Sequence, residues 1–190
     1  MNGLVLPILN AICVSRICDM EHKGNTWKLL LGFSVKRSTL YAAKYITASI
    51  IMLAVCLLQG LAIAGFGIVK GFERPVPLFL LLIFLLGTML TNMIVIALQQ
   101  WVSMALRNQA FALSLGMIGG FLGMAADLFP ERVGKFFVWS YYTDLSPITL
   151  SYTGEKIQFI VLDTSLLLPK MAALIVAGIG IYITGSVHVS

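Results

Sequence analysis

Charge is what this sequence has least of. Only 11% of its 190 residues are Asp, Glu, Lys or Arg, against 59% apolar residues and a mean hydropathy of +0.95. That leaves too little polar surface to cover a water-soluble globule, so the chain is read as an integral membrane protein. Cysteine is scarce too. Cys13, Cys18 and Cys56 form no CxxC pair, and two of them lie inside apolar segments, as small buried hydrophobes do and disulfide or metal ligands do not. His22 and His188 cannot make a metal site by spacing, and none is expected. There is no HExxH, no GxSxG and no phosphate-binding glycine loop, so any ATP chemistry has to reside on another chain. The absence of a converging set of acids, bases or ligands disfavours an intramembrane enzyme. The net charge of +5 does not signal nucleic-acid binding, because the basic residues cluster beside apolar spans, where they report topology and attraction to anionic lipid.

What is present begins with one long polar interval, residues 19–44. Arg16, Lys23, Lys28, Lys36, Arg37 and Lys44 gather in or beside it, six of the thirteen Lys and Arg, against Asp19 and Glu21 alone. A short basic loop next to spanning helices is retained on the cytoplasmic side, which orients the whole chain. Within it Trp27, Leu29, Leu30, Leu31 and Phe33 interleave with Lys28, Lys36 and Arg37, a pattern suited to a short amphipathic helix at the membrane surface or against a partner protein.

The apolar runs set the remaining organisation, a single membrane domain over 1–190. Residues 3–18 are apolar but short, interrupted by Asn10 and Ser15, and fall below the roughly 20 residues a span needs. A signal peptide would carry its charge at the other end. This stretch reads as the later part of a helix, and the chain as N-terminally incomplete. Spans follow at 45–69, 77–105, 110–129 and 171–187, all expected to be helical because an open sheet cannot satisfy its backbone in lipid. Residues 131–168 carry balanced charge and many aromatics, including Trp139, Tyr141 and Tyr142, and are expected on the outer face, in or dipping into the interface.

Residues 21–44 resemble the corresponding loop of the ABC-2 type permeases, especially the lantibiotic and bacitracin immunity branch. The resemblance is carried by Glu21, Gly24, Asn25, Thr26, Trp27, Lys28, Leu30, Leu31, Val35, Arg37, Leu40, Tyr41 and Lys44, with Ser34 where that branch has proline. It implies an all-α permease bundle of six helices, of which the first is missing here, with a cytoplasmic coupling helix and an outer re-entrant or interfacial segment. It further implies a partner ATPase subunit that binds ATP and magnesium, a second identical or paralogous permease, and the bacterial cytoplasmic membrane as location. The expected activity is ATP-driven export or membrane expulsion of a hydrophobic or amphipathic substrate, a lantibiotic-like or other antimicrobial peptide, giving self-immunity or antibiotic resistance. A membrane anchor, an accessory sensor and an inactive truncated remnant are the alternatives.

The coupling residues are then Glu21, Gly24, Trp27, Lys28, Leu30, Leu31 and Arg37, although charge alone does not separate docking from a plain topogenic loop. Asn92, Gln99 and Ser103 recur on one face of their helix and must face protein, through interhelical hydrogen bonds or along a polar pathway. Gly116, Gly119, Gly120 and Gly123 make two overlapping small-xxx-small pairs for close helix packing, within the subunit or at a dimer seam. Trp139, Tyr141 and Tyr142 serve either as substrate contacts or as headgroup anchors.

Overall fold

The computed structural model describes residues 2–23, 36–71, 77–106, 108–125, 128, 134, 137–153, 156–161 and 167–189. Five long helices make up most of it: α1 (Asn2–Lys23), α2 (Arg37–Val69), α3 (Leu78–Ala105), α4 (Gln109–Met124) and, after an intervening segment, α6 (Leu167–Val189). Among the described residues, α1, α2, α3 and α6 are long and apolar enough to cross a membrane, while α4 is a shorter apolar helix of 16 residues. The chain is thus a helical, multi-pass membrane protein.

The helix ends differ from those read off hydropathy. Residues 19–23 and 37–44, assigned above to the polar loop, are helical. Charge lowers hydropathy but breaks no helix, and RSTLYAAK contains neither Gly nor Pro. The result is a 33-residue α2, roughly 50 Å long and therefore longer than the hydrocarbon core is thick. It stops where Gly71 takes φ 65°, a left-handed conformation that glycine adopts without steric cost. At the other extreme, α4 ends at Met124 rather than 129. α6 starts at Leu167 rather than 171, since Pro169 is tolerated in a first turn whose N–H groups have no intrahelical acceptor.

Side-chain contacts fix the helix directions. Asn10 of α1 bonds Asn92 of α3, and Ser15 lies 3.5 Å from Ser103, so these two helices run parallel. α6 runs parallel to α3 as well, since Gly178 meets Ile94 and Gly185 meets Trp101. α2 runs the other way along α3, with Tyr41 against Gln100 and Gly60 against Leu85. α4 is antiparallel to α1, with Gly116 at Ala11 and Gly123 at Gly3. The bundle therefore has one end bearing Lys36 and Arg37, here termed the basic end, and a far end where α1, α3 and α6 begin.

Between α4 and α6 a 3₁₀ turn (Val138–Ser140) leads into a one-turn helix, α5 (Tyr141–Asp144), which re-enters the bundle from the far end. An antiparallel hairpin follows, β1 (Ile148–Thr153) with β2 (Lys156–Val161), in a register from Ile148↔Val161 to Thr153↔Lys156. Alternation of apolar and polar residues in ITLSYT, ahead of Gly154, is the sequence signal for it. The hairpin lies outside the spans, so its strands need no closure in lipid.

Candidate functional site

Polar side chains that the apolar helices carry inward meet at one place. Asn10 Nδ2 donates to Asn92 Oδ1 at 2.8 Å and to the Tyr142 hydroxyl at 3.0 Å, and that hydroxyl donates to Asn92 Oδ1 at 2.5 Å. Asn92 Nδ2 completes the group with Cys56 Sγ at 3.2 Å. Asn10 and Asn92 are fully buried and Tyr142 nearly so. Three spanning helices and the re-entrant segment are thus joined by side chains shielded from both lipid and water. Asn92 sits fourteen residues into α3, roughly 21 Å from its far end, so Tyr142 reaches deep into the bundle. Asn10 Oδ1 has no donor among the described residues, which leaves the joint one hydrogen bond short.

Burial, the largest influence, pushes the Tyr142 phenol well above its ordinary range, with the Asn10 hydrogen bond opposing. Burial and then the Asp144 charge push Tyr141 up as well. A raised phenol pKa favours the protonated donor. The stabilisation from Tyr142 is therefore complete below the ordinary tyrosine value of about 10 and is lost only as pH climbs through the raised one. Unfolding stability should show no step from Tyr142 between about pH 6 and 9. Tyr142→Phe should cost about 0.6 to 1.7 kcal/mol, less than additively with Asn10→Ala, in a denaturant titration of the reconstituted protein.

The other expected pathway residues continue the buried seam toward the basic end. Gln99 Nε2 donates to the Ala112 carbonyl of α4, and Ser103 Oγ lies 3.4 Å from Gln109 Oε1. Both are fully buried and tie α1, α3 and α4 together, Gln99 through Ala112 and Ser103 through Gln109 and Ser15. Trp139 and Tyr142, expected above in a segment lying in or dipping into the outer interface, are core residues; Tyr141 is half-buried. The aromatic cluster suggested an interfacial belt, whereas the chain folds back and places Trp139 on the bare backbone at Gly119. Gly116, Gly120 and Gly123 face Ala11, the Leu4 carbonyl at 2.9 Å and the Gly3 carbonyl at 2.6 Å, measured to an added Cβ. Their partner is α1 of the same chain.

Of the coupling residues, Glu21 belongs to the last turns of α1 and Arg37 opens α2 with an exposed side chain; Gly24, Trp27, Lys28, Leu30 and Leu31 lie outside the described residues. One turn beyond Arg37, Tyr41 is fully buried. Its carbonyl accepts from Gln100 Nε2 at 2.8 Å, its ring lies 5.4 Å from Tyr182, and its hydroxyl abuts Gly185 of α6. Tyr45 adds a 3.1 Å bond to the Met93 carbonyl and an edge contact with Tyr182 at 4.8 Å. This knot locks the first turns of α2 to α3 and α6. Gln100, Tyr182 and Gly185 were not singled out from the sequence, and neither was Asn10 as a site residue, although its interruption of an apolar run is a signal of the kind that marked Asn92. No group of His, Cys, Asp or Glu among the described residues is placed to hold a metal ion.

Residues 1–123 match a family model described as an ABC-2 family transporter protein. No curated protein and no solved structure matches the chain.

Proposed function

We propose that this chain, which belongs to the ABC-2 family of transporter proteins, is a permease subunit that a separate ATPase drives to export or expel an amphipathic, lantibiotic-like peptide from the membrane. The family match over 1–123 carries this reading, and the fold supplies a mechanism consistent with it. In the proposed cycle the basic end faces the cytoplasm and residues 19–44 dock on the ATPase, which binds ATP and magnesium. A second identical or paralogous permease completes the assembly in the bacterial cytoplasmic membrane.

Closure of the nucleotide-bound ATPase pushes on the docked element. The Tyr41–Gln100–Tyr182 knot gives α2, α3 and α6 fixed mutual contacts, so the push is delivered to three helices together and is not lost in bending one. α3 carries Asn92, and a shift of α3 against α1 changes the joint with Tyr142 that seats the re-entrant segment. A packed element with two arrangements is what such a transition requires.

The test is protection. Cells expressing the chain with its ATPase should tolerate a severalfold higher concentration of a lantibiotic, and a hydrolysis-dead ATPase should remove that tolerance. Equal killing with and without the chain, at matched membrane levels, overturns the reading.

A further inference from the structure

Among the described residues, Lys44 is the charged side chain that the bundle buries. It lies seven residues into α2, roughly 10 Å from Arg37. A lysine so near a helix end ordinarily bends its ammonium out to the interface, but this one is only 5% exposed and is not free. Taking an ammonium out of water is costly unless an opposite charge compensates it. Among the described elements α2 packs on α1, α3 and α6. Tyr41 and Tyr45 are the residues it turns to α3 and α6, and Lys44 sits about 100° round the helix from Tyr45. That leaves α1.

Two contacts set the register of these antiparallel helices. Asn2 bonds Gln59 at 2.7 Å, and Asn10 and Cys56 meet on Asn92. The paired residue numbers total 61 and 66, so Lys44 lies level with residues 17–22 of α1, where the acids are Asp19 and Glu21 alone. Helical phase separates those two. Glu21 is eleven residues from Asn10, about three full turns, and shares the face that Asn10 turns to the joint; Asp19 is nine residues away, about two and a half turns, on the opposite face. We propose that Glu21 is the counter-ion of Lys44, and that this pair clamps together the two helices flanking residues 24–36. Glu21 is then a positioning residue within the chain and not a contact for the ATPase. The Tyr41 knot holds α2 to α3 and α6; the pair adds α1 and, through the glycine seam, α4. That role in coupling rests on the permease reading above, whereas the pair itself does not.

A double-mutant cycle on the unfolding of the full chain in detergent tests the pair independently of transport. Glu21→Gln strands a buried ammonium and should raise the unfolding constant on the order of a hundredfold, whereas Glu21→Gln with Lys44→Met removes both charges and should stay within about tenfold of the unaltered chain. Exchanging the charges, Glu21→Lys with Lys44→Glu, should recover most of what Glu21→Lys alone loses. Asp19→Asn should act independently of Lys44→Met. Additive effects of Glu21→Gln and Lys44→Met, or coupling of Lys44 to Asp19 in place of Glu21, overturn the assignment. In cells, the charge-exchanged chain should regain the ATPase-dependent protection that Glu21→Gln loses at matched membrane levels, and Glu21→Gln protecting as well as the unaltered chain overturns the clamp. A positive cycle in a chain whose unaltered form gives no protection fails the permease reading and leaves the pair standing.

Discussion

Gly123→Val is expected to leave little folded protein in the membrane. A Cβ at this position meets the Gly3 carbonyl oxygen at 2.6 Å and the Trp139 carbonyl oxygen at 2.9 Å. Both are backbone atoms of packed elements, and neither can swing aside as a side chain does. The clash is mutual, because a Cβ on Gly3 meets the Gly123 carbonyl at 2.7 Å. Separating α1 from α4 to admit the valine also lifts Gly116 off Ala11 and Gly120 off Leu4, so the loss spreads along the seam. Overpacking of this kind costs about 3 kcal/mol, a large share of a marginal stability. Gly180→Val is the matched control, since nothing lies within 4 Å of a Cβ there. A denaturant titration in detergent should separate the two variants clearly. If Gly123→Val unfolds with Gly180→Val, the close approach of α1 and α4 is wrong.

That seam shows how far the sequence could be read. Gly116, Gly119, Gly120 and Gly123 announce a close approach, because bare backbone on a lipid-facing helix gains nothing unless something packs on it. Which helix packs there is a long-range fact, and no local pattern names α1. Apolar helices were legible from apolar runs, whereas their lengths were not: α1 is long enough to cross a membrane although 3–18 read as too short, and α4 is shorter than the span read over 110–129. Arg37 and Lys44 look like loop on a hydropathy scale although the helix starts at the first and runs through the second. Asn92 was legible as a group that must face protein. Its partner Tyr142 was not, because an aromatic-rich stretch between spans reads as interfacial, and only the return of the chain into the bundle buries it. The motif residue Tyr41 was quoted for resemblance alone, and its burial against Gln100 and Gly185 gives it a physical task.

Arg37→Glu and Trp27→Ala are each expected to abolish transport while insertion and folding stay intact. Arg37 is exposed in the first turn of α2, so reversing its charge disturbs no packed group. It stands one turn from Tyr41, where α2 becomes fixed to α3 and α6, so a force applied at Arg37 reaches the knot directly. Trp27 is the largest apolar side chain of the docking element, and its truncation removes the anchor that gives such contacts most of their energy. The measurements are co-purification with the ATPase, stimulation of hydrolysis, and protection in cells, with Gly180→Val as the control for membrane handling. Either variant retaining full association and stimulation overturns the coupling assignment while leaving the fold untouched. Cysteine labelling at Gly24 supplies the independent check. Modification only from outside the cell would put the basic end on the wrong side for any ATPase, because the Lys36 and Arg37 end and the re-entrant end are opposite ends of one bundle, and exchanging them removes the element on which a cytoplasmic partner could pull.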